Sequence, residues 1–344
     1  MSFAPDIPGL AFIQKLGAGG YADVYLYEQS MPKRRVAVKV LRDAGMSSTV
    51  RERFRAEANA MAQLTHPNIV PVYSADTTED GHPYIVMMYY PRASLAERVK
   101  RSPLTVAEAL QIGIKLASAA ETAHRAGMLH RDIKPANVLT DQYGNPGLGD
   151  FGIAADVAIG DDDDPGVSVP WSPPELLYGT LPPSVRSDVY SLAATIWHLL
   201  VGRSPFESPG GDNSQFALMK RIRDTPPPTT GRPDVPVTLE RLLGAAMAKD
   251  PAVRPASALA LAQALQGIEV ELRLPRTQLI LESDDYSRDD SDVPITDKTR
   301  VQPQRVEAQL VPDQVLERTS LPEEVHFGNA PRRAVEIKEN GKQT

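Results

Sequence analysis

The hydrophobic pattern of this chain changes near Ser94, and that change constrains the fold more than any other feature. Before it, short apolar runs of strand length are separated by polar turns, and residues 51–64 carry apolar side chains at the spacing of a helix. After it, helical spacing prevails. The helices predicted there are residues 106–125, 188–201, 216–223 and 237–247. The pattern predicts a small antiparallel sheet with one helix, followed by a mainly helical unit, which is an α+β fold.

The composition changes again after about Gly267. Beyond it the only aromatic side chains are Tyr286 and Phe327, while Asp, Glu, Pro, Thr and Gln dominate. So few large apolar groups do not offset the entropy that is lost when a segment becomes ordered. The predicted organisation is a sheet-containing unit at residues 8–90, a helical unit at residues 91–266 and a flexible, low-order polar tail at residues 267–344.

Charge and cysteine content exclude several classes of function. The net charge of -7, with no basic stripe, argues against nucleic acid and anionic membranes as partners. The absence of cysteine excludes disulfides, thiolate catalysis and cysteine metal sites, and it fits a reducing compartment. No targeting segment and no apolar run of membrane-spanning length is seen, so we expect a cytoplasmic protein.

A glycine-rich segment, residues 16–24, lies between two predicted strands. Gly17, Gly19 and Gly20 carry no Cβ, so a hairpin built from them lets its backbone approach phosphate groups closely. A flexible hairpin turn is the alternative interpretation, because an isolated glycine motif is weakly specific. The strand that follows argues against a dinucleotide-binding Rossmann unit, which needs a helix there.

Lys39 ends an alternating apolar strand, where its charge needs an anionic partner. Glu57, on the helix predicted over residues 51–64, can supply an ion pair that holds Lys39 against phosphates. A surface lysine whose aliphatic stem covers apolar groups is the alternative. The position of Lys39 after the glycine-rich segment favours the phosphate role.

Polar residues with catalytic potential follow at residues 130–137 and 150–152. Asp132 is a candidate to orient a hydroxyl group and accept its proton, and Lys134 can steady phosphate charge. Asn137 and Asp150 offer the hard oxygen ligands that magnesium prefers. Each residue alone fits an ordinary turn or core position. Their joint occurrence in this order, after the glycine-rich segment, does not fit chance.

These motifs, with His-Arg-Asp at residues 130–132 and Asp-Phe-Gly at residues 150–152, resemble those of bacterial Hanks-type serine/threonine protein kinases. The resemblance spans about residues 10–266. It implies a two-lobed protein-kinase-like fold, with ATP between the lobes and magnesium as cofactor. It also implies that Asp132 and Lys134 are catalytic, that Asn137 and Asp150 bind the metal, and that Ser or Thr of protein substrates receives the phosphoryl group.

The resemblance assigns an adenine pocket as well. It implies that Met87 is the gatekeeper before a restricted back pocket and that residues 87–90 form the hinge that binds the base. Core packing is an alternative that is compatible with this role, because an adenine pocket is itself an apolar cleft. The predicted nucleotide-binding residues are Leu16, Gly17, Ala18, Gly19, Gly20, Tyr21, Ala22, Asp23, Val24, Ala37, Lys39, Glu57, Met88, Tyr90 and Leu139.

Three further matches implied by the resemblance concern the support of the site. Glu175 stands at the end of the family's Ala-Pro-Glu position, and Arg254 is expected to be its buried ionic partner. Asp188 is expected to support the backbone of residues 130–137, called the catalytic loop here. Ser168 replaces the family's threonine and is expected to contact Asp132 and Lys134, which is consistent with Ser/Thr specificity.

The segment between Gly152 and Pro174 departs from the family, because it contains no threonine. The four aspartates at residues 161–164 place fixed negative charge where an activating phosphate would sit. We hypothesise that they order this loop constitutively. A solvated, mobile charge run is the alternative, since adjacent like charges repel.

Partners and rival functions stay open at this stage. The tail threonines are candidates for autophosphorylation and for recognition by phosphothreonine-binding domains, or are ordinary linker residues. These threonines are Thr277, Thr296, Thr299 and Thr319. A transient association of two kinase domains is also left open. The rival functions are a pseudokinase scaffold, which predicts loss of Lys39, Asp132 or Asp150, and a small-molecule phosphotransferase on a related fold.

Overall fold

The structure is a computed structural model that describes residues 4–19, 22–42, 48–151 and 168–281. Residues 1–287 form one compact unit, and the second unit, residues 288–344, lies outside the described residues. Within the described ranges, no helix combines the length and the apolar character that crossing a membrane requires.

A five-stranded antiparallel sheet forms the first lobe, with the strand order β1-β2-β3-β5-β4. Residues on β3 alternate between its faces, so that Val36 and Val38 join a cluster on one face while Ala37 joins a cluster on the other. The helix α1 is inserted between β3 and β4. The bounds are Leu10–Ala18 for β1, Ala22–Gln29 for β2, Arg34–Leu41 for β3, Ser48–Gln63 for α1, Val72–Thr77 for β4 and Pro83–Met88 for β5.

The second lobe is helical and also holds a short hairpin, β6 and β7, which leads into Asp150. Its helices are α2 Leu95–Arg101, α3 Val106–Arg125, α4 Pro174–Leu177, α5 Val185–Val201, α6 Gln215–Asp224, α7 Val237–Ala246 and α8 Ala258–Glu271. The strands are β6 Val138–Thr140 and β7 Pro146–Leu148, and 3₁₀ turns occur at Pro135–Asn137, Val169–Trp171 and Pro251–Val253.

Local sequence explains where the central helices begin and end. A capping box at Thr105 and Glu108 satisfies free backbone N–H groups at the start of α3. Gly202 ends α5 with φ of 90°, a left-handed conformation that suits glycine. Close approach of these helices is also built in, since a Cβ on Gly113 of α3 would lie 2.7 Å from Cδ1 of Ile196 on α5. The catalytic loop lies against this helix pair and is hydrogen-bonded to α5.

The predicted two-lobed fold with one helix in the sheet unit is confirmed. The helix predicted over residues 106–125 has those bounds, whereas α2 and α8 were not predicted. The predicted tail boundary at residue 267 falls inside α8, and the described chain continues to residue 281. Gly267 therefore lies within a helix and does not mark the start of a low-order tail.

Candidate active site

The glycine-rich segment forms the turn between β1 and β2. Gly17 lies opposite Val24 and Ala18 opposite Asp23 in the register of the two strands. The N–H of Gly19 donates to the carbonyl oxygen of Ala22 at 2.8 Å and closes the hairpin. Gly20 and Tyr21, at its tip, lie outside the described residues. The base of the predicted phosphate loop is thus a hydrogen-bonded hairpin.

Asp23 has a different environment from its neighbour Val24. Its carboxylate is buried and forms ion pairs with Lys15 at 3.0 Å and with Arg42 at 2.8 Å. The hydrogen bond from Arg42, aided by Lys15, lowers the pKa of Asp23 against the opposing effect of burial. Because successive strand residues point to opposite faces, this side chain points away from the cluster that Val24 joins. The assignment of Asp23 to the nucleotide-binding residues stays a prediction.

The residues predicted to enclose adenine come together in one apolar cluster. Ala37 and Met87 are buried there, and Val24, Leu139 and Tyr90 pack against them. Sequence reasoning missed one member of the cluster, Val70, which lies between α1 and β4. Tyr89, inside the predicted hinge, also packs there.

The back of this pocket is nearly filled. A cavity of about 20 Å³ lies behind Met87 and is also lined by Lys39 and Phe151. A cavity this small agrees with the expected restriction by the gatekeeper Met87.

The hinge is held by a backbone hydrogen bond, in which the N–H of Met88 donates to Pro71 O at 3.0 Å.

Lys39 joins the sheet to the metal-binding motif. Its Nζ lies 2.8 Å from Oδ1 of Asp150. Partial removal from water opposes ionisation of Asp150, but the charge and hydrogen bond of Lys39 outweigh it and lower the pKa of that carboxyl. Glu57 lies on α1 and lines a cavity of about 280 Å³ together with Met61 and Phe151. The Lys39–Glu57 ion pair stays a prediction.

The catalytic loop holds Asp132 by one oxygen. Oδ2 accepts hydrogen bonds from Nδ2 of Asn137 at 2.9 Å and from Nζ of Lys134 at 2.7 Å. Among the described residues, Oδ1 of Asp132 is buried without a hydrogen-bond partner. The Nδ2 group of Asn137 also donates to Asp132 O at 2.8 Å, which directs the amide oxygen of Asn137 away from the loop backbone. One carboxylate oxygen and one amide oxygen therefore remain available.

The backbone around these residues is strained and anchored. Arg131 and Asp150 have φ values of 66° and 58°, which non-glycine residues seldom adopt. Asp188, at the start of α5, accepts hydrogen bonds from the N–H groups of His130 at 2.8 Å and Arg131 at 2.9 Å. Burial would raise the pKa of Asp188, but hydrogen bonding and charge from His124 outweigh it and lower that pKa. The predicted bracing role of Asp188 is confirmed by these contacts.

His130 links the two halves of the site. Its Nδ1 accepts from the N–H of Asp132 at 3.2 Å, and its Nε2 donates to Gly149 O at 2.9 Å. The ring also packs against Phe151, with the ring centroids 4.4 Å apart and the planes tilted by 42°. Burial lowers the pKa of His130 and keeps the imidazole neutral, as this hydrogen-bonding pattern requires. The sequence marked His130 as a motif member but carried no sign of this linking role.

Two supports of the substrate side are present, the first of them in part. Nζ of Lys134 donates to Oγ of Ser168, so the serine that replaces threonine does reach the catalytic loop, while its expected contact with Asp132 stays a prediction. Arg254 and Glu175 form a buried bidentate pair, with Nη1–Oε1 at 2.6 Å and Nη2–Oε2 at 2.8 Å. This pair ties the segment that carries Glu175 to the segment that precedes α8.

Several predictions on the loop and tail have other outcomes. Gly152, the aspartates at residues 161–164 and the threonines Thr296, Thr299 and Thr319 lie outside the described residues. Thr277, by contrast, is 8% exposed, and its hydroxyl donates to Oε1 of Glu269 at 2.5 Å. Thr277 was wrongly placed in a flexible tail. It is held by Glu269, a residue of α8.

The donor chemistry fits the predicted magnesium ion. Asn137 supplies an amide oxygen and Asp150 a carboxylate, both of them hard ligands. Within the described ranges, no three His, Cys, Asp or Glu side chains gather closely enough to hold a metal ion. Magnesium is commonly held by one or two protein oxygens and completes its shell with water and substrate phosphates, so a sparse donor set suits it.

Comparison with known proteins agrees with this geometry. A family model described as protein kinase domain matches residues 10–266. Serine/threonine-protein kinase PknK of Mycobacterium tuberculosis is 39% identical over 276 residues, which cover 77% of this chain and 24% of PknK. PrkC of Bacillus subtilis is 37% identical over 245 residues, which cover 70% of this chain and 37% of PrkC. The chain thus spans about a quarter of the length of PknK and a little over a third of the length of PrkC.

Solved structures show the same similarity. The crystal structure of the Mycobacterium tuberculosis PknI kinase domain superposes with a TM-score of 0.60 at 29% sequence identity. It covers 78% of this chain and 99% of the PknI domain. Motifs, fold and site geometry therefore agree, and the chain belongs to the protein kinase family, as a bacterial Hanks-type serine/threonine kinase.

Proposed function

We propose that this chain transfers the γ-phosphoryl group of ATP, with magnesium, to Ser or Thr side chains of proteins. The Asp132 carboxylate carries the proposal. Its Oδ2 is held by Asn137 and Lys134, whereas its Oδ1 is buried without a hydrogen-bond partner among the described residues. A carboxylate held in this way is oriented and keeps one oxygen for the proton of an attacking hydroxyl.

ATP binding is supported by the surfaces on either side of the cleft. The apolar cluster around Ala37 and Met87 suits a planar base. The hairpin at Gly17 and Gly19 brings backbone N–H groups near phosphates without side-chain obstruction. Lys39 contributes a positive charge beside Asp150, at the position where the triphosphate would lie.

Asn137 and Asp150 are the residues that would hold magnesium. When bound, the ion would neutralise charge that develops on the phosphate oxygens. The chain's own contribution is to fix the positions of the groups around the metal. His130 accepts from the Asp132 N–H and donates to the Gly149 carbonyl oxygen, and these two hydrogen bonds set Asp132 relative to Asp150. Catalysis then rests on positioning and on fixed charge.

A protein hydroxyl is supported as the acceptor by the residues below the cleft. Lys134 contacts both Asp132 and Ser168. Its positive charge therefore lies between the carboxylate that would accept the hydroxyl proton and the segment that begins at Ser168. The Arg254–Glu175 pair holds that segment against the helical lobe. A rigid platform of this kind suits an extended peptide better than a small molecule.

Incubation with labelled ATP and magnesium tests this proposal directly. Wild type is expected to phosphorylate itself or a generic protein on Ser and Thr, and Asp132→Asn is expected to lose this transfer. Binding of ATP without any transfer would support the pseudokinase scaffold instead. Transfer to a small molecule but to no protein would support the rival phosphotransferase.

We also propose a cytoplasmic signalling role, in which protein substrates and phosphothreonine-binding domains are the partners. The support is the family's protein-directed chemistry and the polar, threonine-containing segment that follows residue 281. Phosphosite mapping after autophosphorylation tests the partner class. Phosphothreonine at Thr296, Thr299 or Thr319 is expected, and unmodified threonines there would exclude this mode of recruitment. A concentration-dependent rise in autophosphorylation rate would indicate a transient kinase dimer.

A further inference from the structure

The chain continues in an ordered form beyond the part that matches the kinase family. Residues 272–281, called the strap here, follow α8 and lie past residue 266, where the family match ends. Leu272, Leu274 and Leu279 pack against the main hydrophobic core. Neither phosphoryl transfer nor the known motifs account for this segment.

The middle of the strap, at Thr277, is hydrogen-bonded to α8. Glu269 accepts from the N–H of Thr277 at 2.8 Å and from its hydroxyl at 2.5 Å. Nε2 of Gln266 donates to Thr277 O at 2.7 Å. All three residues are buried, so these hydrogen bonds are shielded from water and hold the strap in one position.

The second half of the strap joins the two lobes at Ile280. The hydroxyl of Ser118 on α3 donates to Ile280 O at 2.5 Å and accepts from Ile280 N at 3.1 Å. His66, which follows α1, contacts the same carbonyl through Nε2 at 3.0 Å. One strap residue thus bridges the sheet lobe and the helical lobe.

The tautomer of His66 follows from its three contacts. Nδ1 accepts from the N–H of Asn68 at 3.0 Å, so this nitrogen carries no proton. A carbonyl oxygen can only accept, so Nε2 carries the proton and donates to Ile280 O. The same Nε2 also lies 3.2 Å from Oγ of Ser118, so one ring nitrogen bonds within its own loop and the other faces both the strap and α3.

The loop that contains His66 connects α1 with β7, which leads to the metal-binding motif. It begins where α1 ends, and α1 carries Glu57. It is also bonded to β7, since Leu148 N donates to Asn68 O at 2.8 Å and Val70 N donates to Leu148 O at 2.9 Å. β7 leads directly into Asp150.

We propose that the strap is a positioning element for phosphoryl transfer, because Ile280 bonds both His66 and Ser118, reinforces their direct contact and so helps to set α1 and β7 relative to the catalytic loop. The strap touches no reacting atom. Its effect on the reaction passes through the placement of Glu57 and Asp150. The inference rests on the proposed kinase activity only for its kinetic readout.

A matched pair of substitutions in the full chain tests the proposal. Ile280→Pro removes the N–H that bonds Ser118, whereas Ile280→Ala keeps the backbone bonds and shortens a side chain that is 40% exposed. At a temperature well below unfolding, kcat of the proline variant is expected to fall about tenfold, as small misplacements of catalytic groups do. The alanine variant and Gln278→Ala, at an exposed strap position, are expected to retain wild-type kcat.

Ser118→Ala approaches the same contact from α3 and serves if the proline variant does not fold. It is expected to lower kcat at least as much, because it removes the Ser118 contacts to Ile280 O and to His66 as well as the one to Ile280 N. Its effect with Ile280→Pro is expected to be less than additive, because both variants remove the Ile280 N–H bond to Ser118. Faster amide hydrogen exchange over residues 64–70 is expected in both variants. Lower thermal stability with unchanged kcat and unchanged exchange in that loop would overturn the proposal. A wild type without transferase activity would contradict the proposed function, and the exchange measurement would still test the strap.

Discussion

Two ion pairs in this molecule differ in how many of their hydrogen-bonding groups are used and in how far they are buried. Arg254 uses all five of its N–H groups, on both oxygens of Glu175 and on the carbonyl oxygens of residues 186, 248 and 249. The side chains of this pair are 0% and 5% exposed. Lys39 and Asp150 form a single contact of 2.8 Å, and the Asp150 side chain is 39% exposed. The first pair is saturated and the second is open.

The difference distinguishes structural charge from chemical charge. A saturated, buried pair has no remaining bonding capacity, so its role is to hold two segments together. An open pair keeps lone pairs for a metal ion or a phosphate. Asp132 belongs to the second kind, because one of its oxygens is buried without a partner among the described residues. Substitutions at the two kinds of site are therefore expected to affect different properties.

The largest expected effect is on the activity of Asp132→Asn. Transfer is expected to fall about 10³-fold, because the asparagine amide cannot accept the hydroxyl proton. The free energy of unfolding is expected to change by less than about 1 kcal/mol, because the asparagine oxygen can still accept from Asn137 and Lys134. Initial rates and urea unfolding measure the two quantities. A parallel loss of both would remove the distinction drawn here.

Arg254→Met is expected to have the opposite profile. It leaves Glu175 buried without its ionic partner, which lowers the free energy of unfolding by about 3 kcal/mol. The activity per folded molecule is expected to change little. The matched control is Arg98→Met, which removes the exposed pair with Glu108 and is expected to leave the urea midpoint nearly unchanged. Equal shifts in the two variants would contradict the structural role of burial.

A smaller effect is expected from pH at His198 on α5. Burial lowers the pKa of His198 to about 4, although Glu207 opposes this shift. The folded state therefore binds this proton more weakly than the unfolded state, whose histidine has a pKa of about 6.5. The associated stability is present above about pH 6.5 and is lost as the pH falls toward 4. The loss is about 2 kcal/mol at pH 5.

Urea unfolding of wild type and His198→Phe at pH 8 and pH 5 measures this contribution. The phenylalanine keeps an aromatic ring beside Trp171, whose ring lies 5.6 Å from that of His198. The variant is expected to lose less stability than wild type between the two pH values. Identical pH dependence would show that His198 does not titrate as a buried group.

The smallest expected effect is that of Asp23→Asn at the base of the glycine hairpin. The substitution removes the charge that Lys15 and Arg42 share, while it keeps the size of the side chain. Stability is expected to fall by about 1 kcal/mol or less, because both cations are partly exposed. The KM for ATP is expected to rise about threefold with kcat unchanged, since only the support of the loop is weakened. A fall in kcat would instead place Asp23 in the chemical step.

The outcomes at particular residues show how far sequence reasoning extends. The Glu175–Arg254 pair, the Lys134–Ser168 contact and the apolar cluster around Ala37 were predictable, because spacing and family motifs constrain them. The helix α8 was missed because it is apolar on several sides and packs against α3, α5 and α7. Such a helix shows no single apolar stripe.

Two side-chain environments were not predictable for the same physical reason. Asp23 was assigned from its position in the glycine motif, whereas the ionic partners of its side chain come from β1 and from the end of β3. Thr277 was assigned to the tail by composition, yet Glu269 and Gln266 hold it. In both cases a partner elsewhere in the chain decides the environment, and local composition does not contain that information.

The sequence by itself determined the chemical groups of this protein and their order along the chain. Asp132, Lys134, Asn137 and Asp150 are present in the unit that is predicted to be mainly helical, and Lys39 is present in the unit that the strand period predicts to be a sheet. Tertiary structure alone decided which oxygen of Asp132 is free, which charged pair is saturated, and that the strap joins the lobes through Ile280. These properties depend on burial and on hydrogen bonds between residues far apart in the chain, which arise only when the lobes pack together.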